Sequence, residues 1–261
     1  KQETDKEFSK AYLEEEQKNR EKVNNERKLI HGKKIRALIS NSEETKLRAN
    51  NWKNTKPQQK VMALREKCAK YLKIEEMDAH NIDLALISLN IPGPDLAADP
   101  KDADELARIG NDGIAEAVAK HPDRFKGFAN LGFGDIDATC RELERCIDEL
   151  GFIALQVFAF IGGKRPLDDP AFAPVWALLA ERNVPLVLHP GPSPAGAVYA
   201  DYWLGPLVGF LFDESIAALR LIFSGIMECH PRLKVLLPHG GATLPLLIGR
   251  VDRLSSNRPG P

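Results

Sequence analysis

"LDDPAFAPVWALLAERNVPLVLHP", residues 167–190, contains a helix pattern followed directly by a strand pattern. Asp169 is suited to the helix N-cap and Pro170 to the first helical position. Four large apolar residues then recur at helical spacing and predict a buried face: Phe172, Val175, Trp176 and Leu179. The strand pattern "VPLVLHP" is apolar on both faces, as in a parallel strand that helices cover on both sides. The stretch therefore predicts one helix–strand unit of a parallel α/β fold.

Four further strand patterns alternate with helix patterns along the chain. They are "IDLALISLN" (82–90), "FKGFANLGF" (125–133), "FIALQVFAF" (152–160) and "LKVLLPHGG" (233–241). This alternation predicts a parallel sheet, either doubly wound or closed as a (β/α)₈ barrel. The patterns G-x-G-x-x-G and G-x-x-x-x-G-K-[S/T] do not occur, which excludes the commonest nucleotide-binding motifs.

A helix pattern begins near Asp213, between the strand patterns "VPLVLHP" and "LKVLLPHGG". Its large apolar residues are spaced three or four positions apart: Ile216, Leu219, Phe223 and Ile226. Residues at this spacing share one face of a helix, so we expect these four to point inward.

The composition is that of a globular chain, with 261 residues and 43% hydrophobic residues. No run of about 18 apolar residues occurs, so we expect no transmembrane helix. The four cysteines have neither metal-site nor disulfide-framework spacing: Cys68, Cys140, Cys146 and Cys229. Reduced, buried thiols of this kind are typical of a cytoplasmic protein.

The charge differs between the two ends of the chain. Residues 1–76 contain 20 Lys or Arg and 13 Asp or Glu, a net charge of +7, whereas the remainder has a net charge of −8. We therefore expect a charged helical extension or linker over residues 1–58 and the (β/α) segment over residues 59–261. Trp52 lies among lysines, Lys53 included. This arrangement suggests nucleic-acid binding as an alternative function, but a solvated charged face explains the pattern better.

Two histidines follow buried strand patterns directly. His189 ends one strand and His239 ends the next, and each is followed by Pro or Gly, which let the chain turn. Carboxyl ends of parallel strands meet at one edge of a sheet, where (β/α)₈ barrels hold their sites. Neutral imidazole is the commonest metal ligand, so the pair indicates a metal site, with a hydrogen-bonded structural role as the alternative. His121 and His230 precede Pro at helix ends and are expected to act as cationic caps rather than as ligands.

Several ordered stretches resemble the amidohydrolase-related (amidohydrolase 2) family, which includes aminocarboxymuconate-semialdehyde decarboxylase and the resorcylate-type decarboxylases. The stretches are "MDAHNIDLALISLN", "HPDRFKGFANL", residues 167–190 and "HPRLKVLLPHGGATLPLLIGRVDRL". The resemblance covers roughly residues 62–254. It implies a (β/α)₈ TIM barrel, here partial with strands two to six recognisable, and a divalent metal, usually zinc, at its C-terminal rim.

The resemblance also implies roles for three residues. His189 matches the family's metal-binding histidine after strand five. His239 matches the histidine after strand six, which acts as acid or base in the decarboxylases. Arg250 matches an arginine that holds a substrate carboxylate in the neighbouring subunit's site, which implies a homo-oligomer, most simply a dimer. A surface helix position remains the alternative for Arg250.

Two parts of the family's metal site have no counterpart here. The family's first strand ends in His-x-His, whereas this sequence contains no His-x-His, and "KKIRALISN" (33–41) with the following Ser42 offers only Ser40, Asn41 and Ser42. The family's strand-eight Asp also has no match. We therefore expect these 261 residues by themselves to bind zinc weakly and to turn over little substrate.

The function that the resemblance implies is that of a metal-dependent enzyme. The first hypothesis is a non-oxidative decarboxylase, a carboxy-lyase, of a small unsaturated or aromatic carboxylate. A hydrolase of the same superfamily is one alternative. The other is a truncated, catalytically inactive relative that serves as an interaction or structural protein.

Overall fold

The structure is a computed structural model that describes residues 74–255. Its helices are α1 (Ile74–Ala79), α2 (Pro100–Lys120), α3 (Ile136–Asp148), α4 (Ala173–Arg182), α5 (Phe210–Phe223), α6 (Ile226–Cys229), α7 (Pro238–Gly241) and α8 (Leu244–Ser255). Its strands are β1 (Ala85–Ile87), β2 (Phe125–Ala129), β3 (Ala154–Phe158), β4 (Phe160–Ile161), β5 (Arg165–Pro166), β6 (Leu186–His189) and β7 (Val235–Leu236). Short 3₁₀ turns occupy Pro94–Leu96 and Pro170–Phe172, and a π-helical turn occupies Gly205–Gly209.

Five strands form one parallel sheet in the order β1-β2-β3-β6-β7, and β4 pairs with β5 in a separate antiparallel hairpin. The prediction of a parallel α/β fold with five recognisable strands is confirmed. Within residues 74–255 the sheet is open, with β1 and β7 as its outer strands. Leu86 of β1 and Leu236 of β7 are accordingly about half exposed, at 51% and 52%.

Helix α4 and the turn before it form the centre of the core. The Asp169 side chain accepts a hydrogen bond from the Ala171 backbone N–H and so caps the turn, as predicted. The four apolar residues of the predicted face are fully buried: Phe172, Val175, Trp176 and Leu179. The indole N–H of Trp176 donates to the Leu167 carbonyl at 2.9 Å, so its one polar atom is satisfied inside the core.

The predicted inward face of α5 is wrong for Ile216 and Phe223, whereas Leu219 is half-buried and Ile226, which lies in α6, packs against the core as expected. Ile216 and Phe223 are 44% and 48% exposed, whereas Asp213 and Glu214 are buried. The helix also begins three residues earlier than expected, at Phe210. Hydrogen bonds fix this orientation, because Glu214 pairs with His239 and other polar groups of the same face bond to the segment before α8. The buried face of α5 therefore combines these polar groups with Ala217, Ala218 and Leu221 of the core.

Several predictions fall outside the described residues. They concern the extension over residues 1–58 and its boundary, the strand over residues 33–41, and Cys68. The three cysteines of the described range are unpaired, as expected, but the expectation of buried thiols holds for Cys146 and not for Cys229, which is exposed. No helix between residues 74 and 255 is long and apolar enough to cross a membrane.

Candidate functional site

The sheet brings the two strand-end histidines to one edge. Strands β6 and β7 are parallel neighbours, with Leu186 opposite Val235. His189 is the last residue of β6, and His239 follows the end of β7 by three residues, within α7. The backbone of His239 is left-handed, with φ 52° and ψ 39°, a conformation that is uncommon for a residue with a side chain. This turn lets the chain reverse direction directly after the strand.

His189 has one ring nitrogen engaged and one available. Its Nδ1 lies 2.7 Å from the carbonyl oxygen of Pro190. A carbonyl only accepts, so Nδ1 carries the hydrogen of the neutral ring and Nε2 keeps its lone pair. A backbone carbonyl on the far nitrogen is the usual arrangement for a metal-binding histidine.

An aromatic ring supports the other side of His189. The Phe158 ring meets the imidazole edge to face, with 5.7 Å between centroids. Gly191 packs against the same ring, and a Cβ added there would lie 2.7 Å from Phe158. The glycine after His189 and Pro190 is therefore needed for this packing as well as for the turn.

A buried carboxylate from α5 holds His239. The Nδ1 atom of His239 lies 3.1 and 3.0 Å from the two carboxylate oxygens of Glu214. The Glu214 side chain is fully buried, whereas that of His239 is 47% exposed. Burial raises the pKa of Glu214, and the hydrogen bond from His239 with the nearby charges of His239 and His189 offsets part of the rise. Sequence reasoning missed Glu214.

A second buried carboxyl precedes Glu214 on α5. Asp213 is 2% exposed, and burial raises its pKa. The Ser193 hydroxyl lies close enough to offset part of this rise, although the two groups do not meet the geometry of a full hydrogen bond. The segment after His189 thus contributes a polar group beside α5.

A small cavity with a mixed apolar and polar lining lies beside Phe158. Its volume is about 10 Å³, and its lining includes Asp95, Asn130 and Gln156, which is room for roughly one water molecule. Burial raises the pKa of Asp95 to about 6, and the backbone N–H of Gly162 donates to this carboxyl at 2.8 Å. The cavity and the two histidines thus share the same end of the sheet.

His189 is the predicted metal ligand that lies within the described residues. His189 fits as one ligand, because its Nε2 lone pair is available. Between residues 74 and 255 no group of three or more His, Cys, Asp or Glu side chains is placed to hold a metal ion. A catalytic zinc site takes about three protein ligands. A complete site would therefore need donors from outside the described range.

The remaining predicted residues lie apart from this pair. Arg250 is exposed on α8 and has no hydrogen bond or ion pair within the described range, so its binding role stays a prediction. His121 and His230 cap α2 and α6, where their backbone N–H groups donate to carbonyls of the last turn. Both therefore occupy the C-cap position of a helix, and their role as cationic caps stays a prediction.

Comparison with known proteins identifies the family. The family model described as Amidohydrolase (Amidohydro_2) matches residues 49–256. The chain belongs to this amidohydrolase family. The resemblance inferred from the sequence is thereby confirmed.

Characterised relatives of the chain are decarboxylases by name. A gamma-resorcylate decarboxylase from Rhizobium radiobacter is 40% identical over 189 residues, which cover 69% of this chain and 58% of the relative. A 2-amino-3-carboxymuconate-6-semialdehyde decarboxylase from Dictyostelium discoideum is 32% identical over 188 residues, which cover 72% and 52%.

A solved structure gives the same fold. The crystal structure of a dihydroxybenzoic acid decarboxylase from Polaromonas sp. JS666, with bound manganese and the inhibitor 2-nitroresorcinol, matches with a TM-score of 0.65 at 37% identity. The match covers 71% of this chain and 59% of that chain. This amidohydrolase-family chain therefore spans less than two thirds of the length of each of these relatives.

Proposed function

We propose that the chain contributes to the active site of a non-oxidative decarboxylase of small aromatic carboxylates. The observation that carries the proposal is the pair of imidazoles at one sheet edge, one with a free Nε2 and the other held by a buried carboxylate. The names of the relatives support a carboxylate substrate of the resorcylate type.

The reaction requires a proton at one ring atom. The bond between the ring carbon and the carboxyl carbon breaks, carbon dioxide leaves, and the ring carbon takes a proton in its place. His239 is the proton carrier in this proposal. Its Nδ1 is engaged by Glu214, so Nε2 faces the substrate as base or, once protonated, as acid.

A divalent metal has a defined place in this proposal. His189 would be one of its ligands, and a bound metal would supply Lewis-acid polarisation of the substrate oxygens. Zinc is the metal that we predict, and manganese is a second candidate because the Polaromonas structure contains it. Cytoplasmic location also belongs to the proposal.

Arg250 has a role only in an assembly of two copies. It is exposed on α8, so its guanidinium is free to bind a substrate carboxylate held by a neighbouring copy. A planar guanidinium forms paired hydrogen bonds with a carboxylate. The proposal therefore includes a homo-oligomer, most simply a dimer.

The test uses the whole chain with zinc or manganese added. Loss of gamma-resorcylate and formation of resorcinol are followed by chromatography, and bound metal is measured by mass spectrometry. His239→Gln should lower turnover by roughly 10²–10⁴-fold with the metal content unchanged. His189→Ala should lower the metal content itself. His121→Gln, at the end of α2, is the control and should change neither quantity. Because we expect little turnover by the chain itself, the comparison uses metal in excess and long incubations. A metal-loaded wild type that forms no resorcinol at all, or a His239→Gln variant as fast as the wild type, contradicts the proposal.

A further inference from the structure

We infer that Glu214 is a positioning residue that holds His239 as the Nδ1–H tautomer and presents its Nε2 atom outward. The catalytic meaning of this arrangement rests on the proposed function, whereas the tautomer does not. Glu214 lies on α5 and pairs with His239, which is 25 positions later in the chain.

The geometry of the pair favours an N–H that donates to a carboxylate. The distances from His239 Nδ1 to the two oxygens of Glu214 are nearly equal, at 3.1 and 3.0 Å. An ionised carboxylate offers two equivalent acceptors, which suits a shared N–H.

The burial of Glu214 argues for a role other than stability. Its side chain is fully buried, and within the described range its hydrogen-bond partner is His239. A buried ion pair adds little stability compared with well-packed apolar side chains, but removing one partner leaves a costly buried charge. On the same helix Ile216 is 44% exposed, whereas Ala217, Ala218 and Leu221 are buried together with Glu214. The buried face of α5 therefore holds a carboxylate beside apolar side chains.

The exposure of His239 identifies the side of the ring that can react. Its side chain is 47% exposed although Nδ1 contacts a fully buried group. The accessible part of the imidazole therefore lies on the edge away from Glu214, where Nε2 is. The left-handed backbone of His239 is a strained conformation that persists only where the surroundings fix it. The Glu214 contact is one such restraint.

A fixed tautomer has a direct chemical consequence. With hydrogen on Nδ1, the lone pair of Nε2 is free to accept a proton. When it has done so, the adjacent carboxylate stabilises the imidazolium, which is the task of the Asp in Ser-His-Asp triads. Glu214 does not touch the substrate in this arrangement and acts through His239 alone.

The tautomer can be measured without any activity. Long-range ¹H–¹⁵N spectra of the ¹⁵N-histidine-labelled whole chain distinguish a protonated from an unprotonated ring nitrogen, at a pH where the imidazole is neutral. His239→Gln identifies the signal among the six histidines. We expect a protonated Nδ1 and an unprotonated Nε2 in the wild type. An Nε2–H tautomer in the wild type overturns the inference, and His239→Gln serves only to assign the signal.

Variants then test whether Glu214 is the cause. Glu214→Gln keeps the shape but replaces the carboxylate by an amide that can donate or accept, so the tautomers should become mixed. Asp213→Asn removes the neighbouring buried carboxyl and should leave the His239 tautomer unchanged. A Glu214→Gln spectrum identical to that of the wild type contradicts the inference.

Kinetics separate this inference from the proposed function. Glu214→Gln should lower kcat roughly 10–100-fold, the usual range for a supporting residue, with KM little changed, and Glu214→Asp should recover part of the loss. If the wild type decarboxylates and Glu214→Gln is equally fast, the positioning role fails and the proposed function stands. If the wild type has no decarboxylase activity, the proposed function fails and the spectra alone decide the tautomer.

Discussion

Replacing Asp95 by Asn should stabilise the fold at neutral and alkaline pH and leave its stability in acid nearly unchanged. Asp95 lies in the 3₁₀ turn Pro94–Leu96, and burial raises its pKa from 3.8 to about 6. The backbone N–H of Gly162 donates to its carboxyl at 2.8 Å. Asparagine keeps a carbonyl oxygen for this hydrogen bond and removes the charge. The substitution therefore isolates the cost of burying an ionised group.

The expected gain follows from the difference between the two pKa values. The pKa rises from 3.8 to about 6, and each pH unit of such a rise corresponds to about 1.4 kcal/mol, so ionised Asp95 costs the folded state about 3 kcal/mol at most. Because the folded-state pKa is the higher one, this cost is absent below pH 3.8 and complete above about pH 6. The increase in unfolding free energy caused by Asp95→Asn should therefore grow between pH 3.8 and about pH 6 and stay constant above it.

Urea unfolding of the wild type and Asp95→Asn at several pH values measures this gain. The difference between the two proteins at each pH removes the contribution of the other titrating groups. Asp83→Asn is the control, because Asp83 is an exposed carboxylate just before β1. A constant difference between wild type and Asp95→Asn at all pH values, or a variant that is less stable above pH 6, would refute the reasoning.

Three further substitutions test the packing around the site. Trp176→Ala should lower the free energy of unfolding by roughly 3–5 kcal/mol in urea melts, because a fully buried ring and its hydrogen bond to Leu167 are lost. Gly191→Ala should lower both stability and metal retention, because the new Cβ would lie 2.7 Å from the Phe158 ring beside His189; unchanged metal content would contradict this. Asn183→Ala should destabilise the end of α4 by about 1 kcal/mol in thermal melts, because Asn183 is left-handed at φ 56°, whereas Asn183→Gly should be neutral or stabilising.

The sequence was sufficient for those parts of the fold that depend on local pattern. Phe172 and Trp176 were expected inside and are fully buried. The Asp169 cap forms as its position predicted. Each of these features requires only residues that are near one another in the chain, so periodicity and capping preferences determine them. The same locality explains why the five strands were found, although each is shorter than its apolar run.

The orientation of α5 shows where this reasoning fails. Periodicity assigned Ile216 and Phe223 to the interior, and both are about half exposed. The hydroxyl of Ser215 lies 2.6 Å from that of Thr243, 28 positions away. The face of the helix is therefore set by polar partners that are distant in the sequence. A count of apolar residues carries no information about such partners.

The candidate site also has one part that local sequence pattern predicts and one part that depends on distant partners. His189 and His239 could be proposed from the sequence because a histidine at the end of a buried strand is unusual. The position of Glu214 beside His239 could not be predicted. A signal was nevertheless present in "GFLFDESIAAL" (209–219), where two acidic residues interrupt an apolar run. An ionised group inside an apolar helix is costly unless it is paired. Acidic residues in such a helix should therefore be sought as partners of strand-end histidines, and this criterion selects Asp213 and Glu214, of which the fold brings Glu214 to His239.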